Sequence, residues 1–158
     1  MIRATARVLK NIIEIEIGPE TWLARPVPSM SAPIARQLSS LFSTVYETFR
    51  PADQGSVHSI VSYHAKQDEI MVQMGETKWR THSSAFGPLT FEYAGRAYEI
   101  HEKLTGKFAI FQDQKMVATG QLGFRSCVMN EYPADLEPFF ANLSLGYLIR
   151  TLFWEMFR

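Results

Sequence analysis

Apolar side chains cover almost every face of the last quarter of the chain, from Asp135 to Phe157. Asp135 can accept hydrogen bonds from the free N–H groups of a first helical turn, and Pro138 falls where a helix has no intrahelical donor to lose. The pattern predicts a helix over Leu136 to Phe157. A helix that is apolar all round must be buried, so we expect this one to form the centre of the structure.

Burial in a membrane is the alternative to burial inside the protein. The 22 residues from Leu136 to Phe157 would reach about 33 Å as a helix, which is enough for a bilayer core. However, Arg150 and Glu155 lie inside the segment, and a charged side chain near the middle of a bilayer costs about 2.5–3.5 kcal/mol. The sequence therefore favours burial inside the fold over a spanning segment.

Strict alternation of Ile and Glu from Ile13 to Ile17 predicts a half-buried strand near the N-terminus, ended by Gly18-Pro19. A second short strand over Trp22 to Val27 would pair with it across that turn. Because proline cannot donate to a ladder, Pro26 and Pro28 would confine this second strand to an edge of the sheet.

Between residues 32 and 49 the apolar period changes to that of an amphipathic helix. Pro33 fits a first turn after Ser31, and Pro51 closes the segment. The apolar positions are Ile34, Leu38, Leu41, Phe42, Val45 and Phe49. The pattern predicts one helix that lies on another surface and covers it.

Short strands separated by polar or glycine-containing turns follow from Val57 to Met129, as in consecutive hairpins that form a meander. The predicted strands are Val57 to His64, Glu69 to Met74, Thr77 to His82, Leu89 to Tyr93, Arg96 to His101, Lys107 to Gln112, Lys115 to Thr119 and Gln121 to Met129. Each has an apolar face, for example Ile70 with Val72 or Leu122 with Phe124, and all these faces need one core. A barrel with the C-terminal helix threaded through it supplies that core and removes exposed sheet edges.

The segment between residues 91 and 153 contains a series of short sequence motifs in a characteristic order. Tyr93-Ala94-Gly95 is followed by the run from Gly106 to Ala118 and then by Asp135 leading into the apolar helix. This segment resembles the second half of the tubby-like barrels, a superfamily that includes the tubby C-terminal domain, the phospholipid scramblases and the LURP-one-related proteins. The resemblance implies an α+β, mainly β fold, in which an antiparallel barrel encloses a hydrophobic C-terminal helix. The amphipathic helix at residues 32–49 departs from it, because early strands would be expected there.

Length and composition suit a single domain over residues 1–158. Lys plus Arg equals Asp plus Glu at 16 each, so no overall field would attract nucleic acid. The one cysteine, Cys127, excludes an internal disulfide, lies in an apolar strand pattern and is expected to be an inert buried thiol. The N-terminal residues lack the apolar core of a secretory signal. We therefore expect a cytoplasmic protein, with membrane association as an open alternative.

No spacing of chemically active residues predicts an enzyme, a metal site or a cofactor. The four histidines His58, His64, His82 and His101 are scattered over separate strands, whereas metal sites need close spacing or convergence. Glu14 and Glu16 fall on a solvent face, and Glu99 and Glu102 flank a turn, so solvated charge explains both pairs.

Basic residues supply the one positive functional signal. Lys78 and Arg80 share a strand face and could meet an anionic head group together with Lys107. Tubby proteins bind phosphoinositides through barrel cations, so the resemblance implies the same ligand here; ordinary surface charge is the alternative. Arg150 is a charged residue in an otherwise apolar helix, so it needs a partner of opposite charge, and we expect a glutamate of the barrel. The alternatives are that its side chain extends to the rim of the barrel or that it binds an anion.

Two function classes follow. The favoured one is a non-catalytic binding or adaptor module for an anionic lipid or a protein partner. The alternative is a small-molecule carrier or hydrolase that uses the barrel mouth, which requires a cavity that the helix leaves open.

Overall fold

The computed structural model describes residues 1–27, 43–53, 56–83 and 87–156, which form twelve strands and one α-helix. The helix, α1, spans Glu137–Glu155 and follows a 3₁₀ turn at Ala134–Leu136. The strands are β1 (Ile2–Arg7), β2 (Ile12–Ile17), β3 (Glu20–Pro26), β4 (Ser43–Phe49), β5 (Ser59–His64), β6 (Glu69–Met74), β7 (Thr77–His82), β8 (Leu89–Tyr93), β9 (Arg96–Glu102), β10 (Lys107–Gln112), β11 (Lys115–Gly123) and β12 (Ser126–Glu131).

These strands form a closed antiparallel barrel, which confirms the predicted architecture. Each strand pairs with the next one in the chain, and β1 closes the ring against β12. In that closing ladder Ile2 lies opposite Met129 and Ala4 opposite Cys127, and all four side chains are buried. The strand β1 was not predicted, because two of its three alternating apolar residues, Ala4 and Ala6, are small and leave Ile2 as the one large apolar side chain.

The helix α1 runs through the barrel, so the predicted core helix is confirmed. Eleven consecutive residues, 139–149, are buried, and so is Phe153. The capping prediction is wrong: Asp135 belongs to the 3₁₀ turn, Leu136 occupies the cap position, and no side chain bonds to the free N–H groups there. The barrel surrounds α1 on all sides, which explains why almost no polar face was found in its sequence.

Gly146 lies where α1 packs closely against the barrel wall. A Cβ at this position would lie 2.4 Å from Cγ2 of Ile70 and 3.4 Å from Cγ1 of Val61. Ile70 and Val61 are fully buried, as expected for inward positions of β6 and β5. The absence of a side chain at residue 146 therefore lets the helix pack directly against this wall.

The predicted helix at residues 32–49 is wrong for its last part. Residues 43–49 form β4, which pairs with both β3 and β5. Tyr46, for example, lies opposite Pro26 on one side and Val61 on the other. The segment is rich in Thr, Val, Tyr and Phe, which favour strands, and two neighbouring ladders outweigh the local helical period. Residues 32–42 of the predicted helix lie outside the described residues.

Two further strand predictions need correction. The second predicted strand is β3, which is not at an edge, because it pairs with β4 as well as β2; Pro26 is its last residue. The break predicted at Gly120 is also wrong, since β11 continues to Gly123 with a register shift after Thr119. A Cβ at Gly120 would lie 2.3 Å from Cζ of Phe108, so this glycine serves close packing rather than a turn.

The meander itself is confirmed elsewhere. The strands β6, β7, β8 and β10 have the predicted bounds, and β5 and β9 differ by one or two residues at one end. The actual hairpin turn between β11 and β12 is formed by Phe124 and Arg125, so Phe124 does not share a strand face with Leu122. Its side chain is instead 78% exposed.

Candidate functional site

Antiparallel order places alternate turns at opposite ends of the barrel. The turns that follow β1, β5, β9 and β11 share the end at which α1 finishes. We call their seven protruding residues the basic end. They are Leu9, Lys10, Lys66, Lys103, Leu104, Phe124 and Arg125.

The basic end holds the most exposed large apolar side chains of the described ranges. Leu104 is 110% exposed, Leu9 103% and Phe124 78%, and Met156 beside them at the end of α1 is 70% exposed. Isolated exposed apolar residues are ordinary on protein surfaces, but four on one end of one barrel form a local feature.

Each apolar turn residue of the basic end has a cation as its sequence neighbour. Lys10 follows Leu9, Lys103 precedes Leu104, and Arg125 follows Phe124. The Arg125 guanidinium lies over the Phe124 ring, 4.8 Å from its centroid, which holds both groups at the tip of the hairpin.

The opposite end of the barrel, which we call the acidic end, carries more carboxylates than cations within the described ranges. Its turns and the entry to α1 carry the acidic residues Asp53, Glu76, Asp113, Asp135 and Glu137. Within the described ranges, cations are therefore in excess at the basic end, which also holds the exposed apolar groups and the carboxylates Asp68, Glu102 and Glu155. Carboxylates are in excess at the other end, which also holds Arg50, Lys78, Arg96 and Lys115. The overall charge of zero conceals this separation.

Arg150 is engaged inside the mouth of the basic end, so the prediction that it pairs with a barrel carboxylate is confirmed. The principal partner is an aspartate rather than the expected glutamate: Nε and one terminal nitrogen of Arg150 donate to Asp68 at 2.8 and 3.2 Å, whereas Glu102 is 3.7 Å away. Tyr63 also donates to Asp68 at 2.6 Å and accepts from the Trp154 indole at 2.8 Å.

These contacts decide the ionisation of the aspartate. Burial alone would raise the pKa of Asp68, but the hydrogen bonds from Arg150 and Tyr63, together with the charge of Arg150, lower it below its ordinary value. The carboxylate and the guanidinium therefore hold the end of α1 to the turn between β5 and β6.

The three predicted lipid-binding cations do not form one cluster. Lys78 and Arg80 lie on the outer face of β7, and Arg80 is 3.5 Å from Glu69. Lys107 lies on β10, and two strands, β8 and β9, separate it from β7, so the two strands are about 14 Å apart at ordinary strand spacing. Lys107 begins a strand at the basic end, where its carbonyl accepts from the Lys103 amide at 2.8 Å, whereas Lys78 lies near the acidic end.

The groups considered for catalysis have structural surroundings. Cys127 is fully buried, and burial raises the pKa of its thiol to about 12, so it is not a thiolate at neutral pH. His58 packs on Trp22 with 4.1 Å between ring centroids, and His101 lies 3.0 Å from Glu99. Within the described ranges, no three His, Cys, Asp or Glu residues are grouped so that they could hold a metal ion.

A cavity of about 260 Å³ opens at the acidic end, between the first turns of α1 and strands β2 to β5. Apolar and polar side chains both line it. The lining includes Ile15, Ile17, Trp22, Thr48, Ala141 and Asn142.

Neither the basic end nor this cavity was predicted from the sequence. The three pairs of a large apolar residue and a cation were visible in the sequence, but Phe124 was assigned to a strand and Leu9 to no element. The hairpin turn at Phe124 and Arg125 contains no Gly, Asn or Asp, which are the usual turn signals. The cavity depends on which strands surround α1 and had no local signal.

Comparisons with known proteins do not assign the chain: no family model, curated protein or solved structure matches it. No helix in the described ranges has the length and hydropathy needed to span a bilayer.

Proposed function

We propose that this protein is a non-catalytic binding module that docks peripherally on anionic membranes through the basic end. The observation that carries this proposal is the repeated pairing of a largely or fully exposed apolar side chain with a cation on neighbouring turns. An apolar tip beside a cation suits the membrane interface, because the apolar group can enter the acyl boundary while the cation meets head groups.

The charge of the basic end supports an anionic surface as the partner. Lys10, Lys66, Lys103 and Arg125 extend from turns at the same end, where Asp68 and Glu102 face Arg150, and carboxylates are in excess at the far end. A basic residue near an anionic surface contributes about 1 kcal/mol, so four would supply roughly 4 kcal/mol before costs. The separation of charge would also orient the barrel with its axis towards the membrane.

The apolar tips add an attraction that depends on insertion rather than charge. Complete burial of a Leu or Phe side chain is worth about 1.5–3 kcal/mol, and Leu9, Leu104 and Phe124 hold nearly all of their surface available. Partial entry into the interface would contribute a fraction of that amount. Charge and apolar contacts together would give reversible binding rather than permanent anchoring.

The tubby-like resemblance belongs to the same proposal. A closed barrel of twelve antiparallel strands around a C-terminal helix is the arrangement that the resemblance implies, and the family's phosphoinositide ligand is an anionic lipid. The basic end replaces the cluster of Lys78, Arg80 and Lys107 as the surface we assign to the lipid, with Lys107 at its border.

Co-sedimentation with phosphatidylcholine vesicles, with and without phosphatidylserine or a phosphoinositide, tests the proposal. We expect binding that requires the anionic lipid and weakens between about 0.1 M and 1 M salt, as the Debye length falls from about 10 to about 3 Å. Replacing Lys10, Lys103 and Arg125 by Gln should cost about 3 kcal/mol, or roughly a hundredfold in affinity.

A variant with Lys78, Arg96 and Lys115 replaced by Gln is the matched control, because it removes the same charge from strand starts at the acidic end. It should bind like the wild type. A separate variant, Phe124→Ser, should weaken binding even at high salt. Wild-type protein that ignores anionic vesicles at low salt, or a control variant that loses as much affinity as the basic-end variant, would overturn the proposal and favour a protein partner.

A further inference from the structure

The cavity at the acidic end exists because α1 presents small side chains there. Pro138, Ala141 and Asn142 face strands β2 to β5, whereas Phe139 and Phe140 fill the other side of the same turns. The space of about 260 Å³ equals the liquid volume of roughly nine water molecules. It is slightly smaller than pockets for drug-sized ligands, so it suits a smaller molecule.

The walls of the cavity are apolar and held in place. Ile15 and Ile17 come from β2, and Trp22 comes from β3. The Trp22 indole is fixed by three contacts: His58 packs on it at 4.1 Å, the Arg50 guanidinium lies 4.5 Å from a ring centroid, and its Nε1 donates to Glu20 at 3.3 Å. A flat or branched apolar group would therefore meet a preformed surface.

The floor of the cavity offers one hydrogen-bond acceptor. Ser59 donates to Asn142 Oδ1 at 2.6 Å, and Asn142 in turn donates to the Pro138 carbonyl at 2.8 Å. Since Ser59 has a single hydroxyl proton, Thr48 must be the donor in its close contact with Ser59. Thr48 lines the cavity, and its Oγ1 can also donate to the Ser59 carbonyl at 3.5 Å. In either arrangement its lone pairs stay free to accept from a ligand that brings an N–H or O–H donor.

The rim of the cavity disfavours an acidic ligand. Glu20 and Glu137 contribute two carboxylates against the one guanidinium of Arg50, which lies 3.7 Å from Glu20. Burial and the neighbouring Arg50 lower the pKa of His58, so this histidine adds no positive charge at neutral pH. A ligand carboxylate would face net negative charge.

We propose that this cavity is a binding site for a small, uncharged, mainly apolar molecule that carries one N–H or O–H donor, such as an aromatic amide or alcohol. The apolar part lies against Trp22, Ile15 and Ile17, and the donor reaches Thr48. The site is at the opposite end of the barrel from the proposed membrane surface, so each can be tested without the other.

Benzamide is a suitable probe, with binding followed by NMR on the wild-type protein. We expect saturable shifts of the Trp22 indole N–H and the Ala141 methyl signals, with a dissociation constant of about 1 mM, typical of a fragment of this size. Benzoate should bind at least fivefold more weakly because of the two carboxylates at the rim. The variant in which Lys10, Lys103 and Arg125 are replaced by Gln should bind benzamide with the same affinity as the wild type.

Two variants make the assignment specific. Ala141→Leu fills the cavity from the helix side and should abolish the shifts while the protein stays folded by its thermal midpoint. Thr48→Val removes the floor acceptor and should weaken benzamide severalfold, yet leave toluene binding unchanged. No saturable shift at roughly 10 mM benzamide, or undiminished binding to the folded Ala141→Leu variant, would overturn the proposal.

Discussion

Replacing Gly146 by Ala tests directly whether α1 fills the barrel as described. Alanine in a helix interior is favoured over glycine by about 1 kcal/mol, so in an unconstrained helix this substitution would stabilise. Inside the barrel the new methyl would lie 2.4 Å from Cγ2 of Ile70, where ordinary contact begins at 3.4 Å. The difference, 3.4 minus 2.4 Å, requires about 1 Å of movement.

That movement is opposed on every side. Ile70 is fully buried, and α1 cannot shift away without pressing on the opposite wall, because Ser144 and Leu148, on the side of the helix opposite Gly146, are fully buried as well. Overpacking of this kind costs about 1–3 kcal/mol, and this enclosed site should lie at the upper end. After the helix preference is subtracted, we expect a net loss of about 1–2 kcal/mol, or roughly 2–8 °C in thermal midpoint.

Urea and thermal unfolding measure this effect. Ala141→Gly, the reverse change on the cavity side of the same helix, loses the helix preference of about 1 kcal/mol and up to about 0.8 kcal/mol from the burial of one methyl group. The overlap also predicts how the two substitutions interact. In an Ile70→Ala background, Gly146→Ala should destabilise less than in the wild type, because the new methyl group enters the space that Ile70 has left. A thermal midpoint raised by Gly146→Ala in the wild-type background would refute the packing argument.

Three further predictions follow from the same structure. Arg150→Met leaves Asp68 half-buried without its partner and should lower the free energy of unfolding by about 2 kcal/mol near pH 7, less than for a fully buried pair. Because the pKa of Asp68 lies below its ordinary 3.8, the stabilisation from this ion pair is complete above pH 3.8 and is lost as the pH falls through the lowered pKa. A difference in stability between wild type and variant that persists unchanged at about pH 2 would contradict the pairing. Cys127 should resist a thiol reagent until the protein unfolds, and rapid modification of native protein would contradict its burial. Deleting the chain from Pro133 onward removes α1 and should abolish soluble folded protein, because the barrel loses its core. A well-dispersed NMR spectrum of that truncation would show that the barrel does not need its central helix.

The spacing of residues along the chain was enough to predict an element wherever the prediction did not depend on which strands pair with that element. The alternation from Ile13 to Ile17, the glycine-containing turns after β6 and β8, and the uniform apolar character of α1 each depend on spacing alone. The barrel architecture could also be predicted from the sequence, because many half-apolar strands and one wholly apolar helix have few ways to share a core. The pairing of Arg150 followed from chemistry, since a guanidinium cannot be buried alone.

Sequence on its own determined most of the strands from β5 onward and the central place of α1, whereas tertiary structure decided which residues meet. Residues 43–49 carry a helical period yet become β4, because pairing with β3 and β5 supplies hydrogen bonds that a local pattern cannot reveal. Lys78 and Lys107 are separated because strand order and direction place them apart. Closure of the ring brought Leu9, Leu104 and Phe124 to one end, and the small residues of α1 left a cavity at the other. Such groupings depend on long-range register, which the spacing of neighbours along a chain does not encode.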